Sequence, residues 1–445
     1  MLDTLIVGGG LAGLAVARAL VDAGQDVVVL EARDRLGGRL HTERLGAAEL
    51  DIGGQWVGPG QPRVNRLIDR LGLTRFPTFT EGTKVLEIDG RIRTYRGNIP
   101  TLSPLGLAQM QLLLTVMERK MKKVDPVAPE LAPDAARLDA TTLDTFRRRW
   151  GASPDVRAVM DAALRAIFGA EADEMSALHF LAYLNASGGF LALAEAEGAA
   201  QQDRIVEGAQ ALVTGLASAG TPVRLRLGSP LHALREGDDH VVASGPFGEL
   251  LARRVVLTLP PPLLTKVRFD PPLPPERMAA LSRWGMGAAI KVVALYDRPF
   301  WREQGYSGEV VSSDGPLSIV YDDCAHDLSQ AALVGFVAGR DAHALQGLEE
   351  ADRERHVLGA LARTLGEEAR HPTALRMIDW GAEPWSRGCP VALAAPGALT
   401  YGPGLAATLR ERHGRIHFAG TETAREHIGY MEGALESAER VLTEL

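Results

Sequence analysis

The stretch TLIVGGGLAG, residues 4–13, decides the fold. Its first half is a short apolar run of the kind that forms a buried strand in a parallel sheet. Its second half places Gly8, Gly10 and Gly13 in the GxGxxG pattern. A glycine turn of this kind leaves backbone N–H groups and a helix N-terminus free to face a pyrophosphate. By itself, however, it can also be only a tight structural turn.

The residues that follow complete a βαβ unit. A helical apolar pattern over 11–23 ends at Gly24, and a second β-branched run over 27–30 leads into the acid Glu31. Glu31 lies 31 − 13 = 18 residues beyond Gly13, close to the spacing of about 20 at which an acid binds a ribose. Because strand, helix, second strand and acid occur in register, we predict a dinucleotide site.

Length and composition indicate a globular protein of about two domains. The chain has 445 residues, of which 46% are hydrophobic and 23% charged, as is ordinary for folded proteins in water. Its net charge of −8 arises from 48 basic and 56 acidic residues without a concentrated basic block. Nucleic acid is therefore not expected as a partner.

Targeting and metal-binding signals are weak. The chain starts almost directly on an apolar strand pattern, which leaves no room for a signal peptide, and no run reaches the roughly 20 apolar residues of a membrane span. The two cysteines, Cys324 and Cys389, cannot form a disulfide framework and lack the spacing of metal ligands. We expect a cytoplasmic protein without a metal site.

Two glycine-rich stretches follow the βαβ unit. Residues 31–39, EARDRLGGR, combine a glycine pair with Arg33 and Arg39, which can bind phosphate. A surface turn with two solvated arginines is the alternative. Residues 51–60, DIGGQWVGPG, predict an irregular loop of the kind that carries functional residues on a rigid scaffold.

The pattern then becomes helical. Three helices are predicted, over residues 105–124, 154–168 and 175–186, and the first of them is amphipathic. Residues 79–204 therefore form a mostly helical insertion into an α/β frame, and a further helix with a loose start is predicted over 205–217. Near the C-terminus, a strand at 415–419 and a glycine turn precede a last helix, whose N-terminus could stabilise a negative group.

Together these stretches resemble the flavin-dependent amine oxidases, the monoamine oxidase and polyamine oxidase group. The matching segments occur in the family's order over almost the whole chain: GGGLAGL with EARDRLGGR, DIGGQWVGPGQ, GGF…EGAAQQDRIVEGAQ at 188–210, AAIK at 288–291 with PFW at 299–301, WSRGC at 385–389, and AGTETA…GYMEGALESAER. The implied α/β fold has a Rossmann-like FAD-binding domain and an α+β substrate-binding domain. The first comprises residues 1–78, 205–285 and 386–445, and the second comprises 79–204 and 286–385 with a helical insertion at 100–190.

The resemblance also implies a set of FAD-binding residues: Gly8, Gly10, Gly13, Glu31, Ala32, Arg33, Gly38, Arg39, Gly54, Gln55, Trp56, Leu231, Trp385, Cys389, Gly420, Glu422 and Met431. Within this set, Gln55 and Trp56 would lie near the flavin ring, and the backbone of Leu231 would contact the adenine. Glu422 would address the phosphate–ribose part and Met431 the pyrimidine end of the flavin.

Lys291 and Tyr430 are the expected catalytic residues. Lys291 matches the family's lysine that holds a water at flavin N5, and its apolar flanks predict a buried strand in which an ammonium needs a partner and has a lowered pKa. Tyr430 matches one of two aromatic residues that hold the substrate amine, with core packing as its alternative. The other aromatic position is Pro390, so Trp56 or Tyr321 is expected to close the substrate site.

Two further motifs allow more than one interpretation. Cys389 matches a cysteine that carries FAD covalently in some members, but the proline that follows it favours non-covalent FAD. Asp322 and Asp323 could bind the second amine of a diamine, but we interpret them as a solvated loop.

The predicted activity is oxidation of a primary or secondary amine. Hydride would pass from the α-carbon to flavin N5, the resulting imine would hydrolyse to an aldehyde, and O2 would reoxidise the flavin with release of H2O2. An L-amino-acid oxidase, a natural-product amine desaturase or cyclase, and a non-catalytic FAD-binding scaffold are the alternatives. The expected partners are a small amine and O2, and a homodimer is compatible with the resemblance.

Overall fold

The computed structural model describes residues 1–97, 101–194 and 198–445. Two positions named above lie outside these ranges: Pro100, the start of the predicted helical insertion, and Glu197, the first residue of EGAAQQDRIVEGAQ. The strands are β1 (Leu2–Val7), β2 (Val27–Leu30), β3 (Thr42–Leu45), β4 (Ala48–Asp51), β5 (Arg75–Pro77), β6 (Thr83–Ile88), β7 (Arg91–Tyr95), β8 (Asp203–Ile205), β9 (Arg224–Arg226), β10 (Ala233–Glu236), β11 (Val241–Gly245), β12 (Gly248–Leu257), β13 (Arg268–Asp270), β14 (Trp284–Met286), β15 (Ala289–Tyr296), β16 (Tyr306–Ser312), β17 (Leu317–Asp322), β18 (Ala331–Ala338), β19 (Ala374–Asp379), β20 (Ala392–Ala394) and β21 (Ile416–Phe418).

The helices are α1 (Leu11–Asp22), α2 (Pro62–Leu71), α3 (Pro104–Met121), α4 (Ala135–Asp139), α5 (Leu143–Arg149), α6 (Pro154–Phe168), α7 (Ala177–Ala186), α8 (Phe190–Ala194), α9 (Ala211–Ser218), α10 (Pro261–Leu264), α11 (Pro275–Leu281), α12 (Phe300–Glu303), α13 (Arg340–Gln346), α14 (Glu350–Leu365), α15 (Gly404–Leu409) and α16 (Met431–Glu444). Short 3₁₀ turns occupy Pro129–Leu131, Glu367–Arg370 and Thr421–Thr423. Among the described residues, no helix is both long and apolar enough to cross a bilayer.

The first sheet is built on the fingerprint strand β1. Its order is β13-β10-β11-β12-β1-β2-β9, and β21 also pairs with β12. β1 is parallel to both β12 and β2, and all four residues of β2 are buried. This explains why β2 and the last three residues of β1 are continuous apolar runs rather than alternating ones. The sheet therefore joins strands from the start, the middle and the end of the chain.

A glycine turn connects β1 to α1 as the sequence predicts. Gly8 has a φ of +114°, which favours glycine. A Cβ at Gly13 would collide with the carbonyl oxygen of Gly8, so α1 approaches the turn too closely for any larger residue. The N-terminus of α1 therefore stands directly above the carboxyl end of β1.

The second sheet carries Lys291. Its order is β19-β15-β18-β17-β16-β6-β7, and its pairs are antiparallel except for β16 with β6. β15 lies between β18 and β19, and all eight of its residues are buried. The helices α3 to α8 occupy most of residues 101–194. Two mixed sheets with a largely helical insertion confirm the predicted α/β fold class.

The helix predicted over 205–217 is wrong in its first six residues. Residues 203–205 form β8, which pairs with β5, and α9 begins only at Ala211. The delay has two causes. Gly208 has a φ of +77°, which a right-handed helix cannot include, and the N–H of Ala209 donates to the Asp51 carboxylate at 3.0 and 3.1 Å instead of to a helical carbonyl.

Candidate active site

A cavity of about 360 Å³ is lined by residues from both sheets. Val7 and Leu30 come from the carboxyl ends of β1 and β2, whereas Lys291 and Tyr321 come from β15 and β17 of the second sheet. In open α/β sheets the carboxyl ends of parallel strands are the usual site of ligands. The cavity thus lies where the fingerprint turn meets the lysine-bearing strand.

Nearly all residues predicted for the site line this cavity. The exceptions are Gly13, which packs against the turn, and Glu422, which lies behind another side chain. The lining includes Gly8, Gly10, Glu31, Ala32, Arg33, Gly38, Arg39, Gly54, Gln55, Trp56, Leu231, Lys291, Tyr321, Trp385, Cys389, Pro390, Gly420, Tyr430 and Met431. The structure brings them together, while their individual roles stay predictions.

We call residues 8–10 and 31–39 the fingerprint region. Glu31 is buried, and its two carboxylate oxygens accept hydrogen bonds from the N–H groups of Gly9 at 2.7 Å and Arg33 at 2.9 Å. The Arg33 guanidinium pairs with Glu383 and donates to Ser386 Oγ at 2.8 Å. The charges of Glu31 and Arg33 are therefore already matched within the protein.

Arg39 is held by a bidentate ion pair. Its guanidinium donates to the two oxygens of Glu422 at 2.6 and 3.0 Å and to the carbonyl of Pro390 at 2.8 Å. Glu422 is only 4% exposed and does not line the cavity. It therefore contacts Arg39 from behind the cavity wall, and its role towards the phosphate–ribose part of FAD stays a prediction.

We call Trp56, Lys291, Tyr321 and Phe336 the aromatic region. The ring of Trp56 meets that of Tyr321 edge-on at 5.4 Å and that of Phe336 at 5.8 Å, measured between centroids. Phe336 lies directly opposite Lys291 in the β15–β18 pair and was missed by the sequence analysis. The apolar run at 333–337 predicts its strand, but no local pattern predicts the strand with which it pairs.

Lys291 has the partners that its apolar flanks require. It is 3% exposed, and its Nζ donates to the carbonyl of Gly53 at 2.8 Å and to Gln55 Oε1. Nζ also lies 5.7 Å from the ring centroids of Trp56 and Phe336, within cation–π range. Burial lowers the pKa of Lys291 to about 8, although nearby carboxylates act to raise it. The group therefore changes charge in the range where enzymes operate.

The interpretation of Asp322 and Asp323 as a solvated loop is wrong. Asp322 is 2% exposed and accepts hydrogen bonds from Trp301 Nε1 at 2.8 Å and from the Arg302 guanidinium at 2.6 and 2.8 Å. Asp323 is fully buried and pairs with Arg204 at 2.9 Å. Neither lines the cavity. Both charges are neutralised by arginines from other elements of the chain, Arg302 and Arg204. Two adjacent acids in the sequence give no sign of these partners.

Cys389 and Tyr430 stand on the wall formed by the last part of the chain. Burial raises the pKa of the Cys389 thiol to about 12, so the thiol is protonated at neutral pH. Tyr430 directly precedes α16, and its carbonyl accepts a hydrogen bond from Thr421 Oγ1 at 2.9 Å. Burial also raises the pKa of Tyr430 above its usual value, so its hydroxyl stays neutral.

Comparison with known proteins agrees with this geometry. The family model described as flavin containing amine oxidoreductase matches residues 11–443. The chain belongs to this family. A protein named "Probable flavin-containing monoamine oxidase A" from Dictyostelium discoideum is 36% identical over 100% of this chain and 97% of its own length.

Solved structures of related amine oxidases have the same fold. An engineered double mutant of putrescine oxidase superposes with a TM-score of 0.94 at 31% identity, covering 100% of this chain and 98% of that one. Cyclohexylamine oxidase from Brevibacterium oxydans IH-35A also gives a TM-score of 0.94, at 29% identity with the same coverage. The protein is thus an oxidoreductase that acts on amines, with FAD as its cofactor.

The residues of this amine oxidoreductase fit FAD. Gly10 has an extended ψ and a φ of −85°, and a Cβ there would meet nothing closer than 3.8 Å. Open space therefore lies directly in front of the α1 N-terminus, where a pyrophosphate would bind. Trp56 Nε1 is a buried donor without a protein acceptor among the described residues. The open space at the α1 N-terminus suits an anionic group, and the Trp56 donor suits a polar ring edge. FAD has both.

Proposed function

We propose that the protein oxidises an apolar primary or secondary monoamine at its α-carbon. The imine formed would be hydrolysed to an aldehyde and ammonia or an amine, with O2 as final acceptor and H2O2 as product. FAD, when bound, supplies the hydride acceptor. The chain supplies the fingerprint region to hold the cofactor, Tyr430 to orient the amine, and Lys291 to hold a proton or water beside the reacting atoms.

The observation that carries the monoamine proposal is the charge of the cavity lining. Among the described residues that line the cavity, Glu31 is the sole carboxylate, and the N–H groups of Gly9 and Arg33 already occupy it. The second ammonium of a diamine would enter the cavity without a counter-charge. An unpaired buried ammonium is costly, so a diamine should be a poor substrate.

The same reasoning weighs against an amino-acid oxidase. Holding a substrate carboxylate calls for an available arginine. The lining arginines, Arg33 and Arg39, are paired with Glu383 and Glu422 respectively. Trp56, Tyr321 and Phe336 make this part of the lining largely aromatic, with Lys291 as its cation and Gln55 as a neutral polar side chain. This favours substrates like the monoamine in the name of cyclohexylamine oxidase over the diamine in the name of putrescine oxidase.

Matched substrate pairs test the proposal. Hexylamine should bleach the visible flavin absorbance of the holoprotein anaerobically, with a kcat/KM at least about 100-fold above that of 1,6-diaminohexane. Likewise, the kcat/KM for 2-phenylethylamine should exceed that for L-phenylalanine. A diamine or amino acid that is the better member of its pair would overturn the substrate class. No bleaching by any amine would overturn the oxidase itself.

We also propose that FAD is bound without a covalent link. A thiol whose pKa is raised to about 12 is a poor nucleophile at neutral pH. Denaturing the holoprotein in acid should therefore leave the yellow colour in the supernatant. A yellow precipitate that becomes colourless in Cys389→Ser would show the opposite.

A further inference from the structure

A buried series of polar side chains leads from Arg204 to Lys291. Arg204 Nη2 pairs with Asp323 Oδ1 at 2.9 Å, and Gln55 Nε2 donates to the same oxygen at 2.9 Å. Gln55 Oε1 then accepts a hydrogen bond from Lys291 Nζ. All four side chains are less than 9% exposed. Because buried polar groups are stabilised only when they are satisfied, the four residues form one unit.

The two ends of this series fix the orientation of the Gln55 amide. An ionised carboxylate only accepts hydrogen bonds and an ammonium only donates them. The NH₂ group of Gln55 must therefore face Asp323, and its carbonyl must face Lys291. A reversed amide would place a donor against Nζ and an acceptor against Oδ1. Arg204 further fixes Asp323 by donating to the backbone carbonyls of Asp323 and Cys324 at 3.1 and 2.9 Å.

The geometry at Nζ gives this arrangement a consequence for the reaction. A lysine ammonium has three N–H donors, and here two are directed to Gly53 O and Gln55 Oε1, both on the loop that also carries Trp56. The third donor has no acceptor among the described hydrogen bonds, and Lys291 lines the cavity. We propose that Gln55, anchored by the Arg204–Asp323 ion pair, is a positioning residue that directs this third donor of Lys291 into the cavity and stabilises its positive charge.

This inference rests on the proposed function, since it gives the lysine a role in amine oxidation. The charged and titratable groups that act on Lys291 are Asp323, Asp51, Arg204 and Cys389, and Asp323 is the strongest of them. Asp51 is held separately, by Thr42 Oγ1 and the N–H of Ala209. Removing the charge of Asp323 should therefore lower the pKa of Lys291, whereas a change that touches neither Gln55 nor any of these four groups should not.

The small number of lysines makes a direct measurement feasible. The chain has six: Lys84, Lys120, Lys122, Lys123, Lys266 and Lys291. Holoprotein labelled with ¹³C at lysine Cε gives a correspondingly simple NMR spectrum, and the signal missing in Lys291→Met is that of Lys291. In the wild type this signal should titrate near pH 8. In Asp323→Asn the midpoint should fall by about one pH unit or more, and the pH profile of flavin reduction by an amine should move with it.

Asp322→Asn is the matched control. Asp322 precedes Asp323, is equally buried and ion-paired, but contacts Trp301 and Arg302 instead of Gln55. Its loss should reduce stability and leave the Lys291 titration in place. Equal shifts in both variants, or no shift in either, would overturn the proposal.

Gln55→Met keeps the test decisive should Asp323→Asn fail to fold. It removes the acceptor of the Lys291 Nζ hydrogen bond without changing any charge. The titration midpoint of Lys291 should therefore fall, as in Asp323→Asn. An unchanged midpoint in Gln55→Met would overturn the proposed role of Gln55. Because the NMR titration needs no turnover, failure of the amine oxidase proposal would appear separately, as a wild-type flavin that no amine bleaches.

Discussion

The fingerprint region and the aromatic region line the same cavity but are built in opposite ways. In the first, Glu31, Arg33 and Arg39 all have partners within the protein, so that a ligand meets mainly backbone. In the second, the rings of Trp56 and Phe336 lie 5.7 Å from Lys291 Nζ, which keeps one donor available. The first design suits tight retention of a cofactor, and the second suits chemistry on a small apolar substrate. Substitutions should therefore affect stability and cofactor binding in one region and rates in the other.

The largest effect is expected from breaking the Arg39–Glu422 pair. Arg39→Ala would leave Glu422, which is 4% exposed, without its bidentate partner. We expect the free energy of unfolding to fall by about 3–5 kcal/mol, measured by urea denaturation of the holoprotein. Arg44→Ala is the control, because Arg44 and its partner Glu49 are both exposed, and it should cost less than about 1 kcal/mol. Equal losses would show that the Arg39 pair is not a special feature of the site.

Lys291→Met should have the second-largest effect, and this effect should be on reaction rates rather than on stability. We expect flavin reduction or reoxidation to slow by about 100-fold while FAD stays bound, because the substitution removes the only cation of the aromatic region among the described residues. Stopped-flow absorbance under anaerobic and aerobic conditions separates the two half-reactions. Lys84→Met removes another buried lysine, which lies on β6 and pairs with Glu309 of β16 at 2.8 Å. It should destabilise the fold without slowing either half-reaction. Unchanged rates in Lys291→Met would show that Lys291 takes no part in either half-reaction.

Gly10→Ala should have the smallest effect. The added methyl group has space within the protein, where its nearest neighbour would be Gly37 O at 3.8 Å, but it would stand in front of the α1 N-terminus. We expect FAD affinity to fall by about tenfold, measured by fluorescence titration of the apoprotein, with an unchanged melting temperature of the apoprotein. Gly285→Ala, which also meets open space but lies outside the cavity lining, should alter neither quantity. Wild-type affinity in Gly10→Ala would place the pyrophosphate elsewhere.

The two regions also differed in how far the sequence predicted them. In the fingerprint region, the glycine turn, α1 and Glu31 are formed by contacts between neighbouring segments, so a βαβ pattern with an acid at the right spacing predicts them. The acidic partners of Arg33 and Arg39 lie 350 and 383 residues away, and this pattern does not predict them. The partners of Lys291 lie 236 and 238 residues away, and only the resemblance placed them near the flavin. Phe336 was not predicted as a site residue, because it reaches Lys291 through the pairing of β15 with β18 and no local sequence pattern predicts which strands pair. Asp322 and Asp323 were misinterpreted because Arg302 and Arg204 reach them from other elements.

The pairing of β12 has a consequence for synthesis of the chain on the ribosome. β1 can pair with β2 soon after both are synthesised. Its other edge has no partner until β12, residues 248–257, has been synthesised, and β12 lacks its pairing with β21 until residues 416–418 follow. At about 5–20 residues per second, the apolar edge of β1 is exposed for on the order of tens of seconds. The nascent chain thus carries an unpaired strand edge through most of translation, and the lining of the cavity is complete only after Met431 and Ala434 have been added.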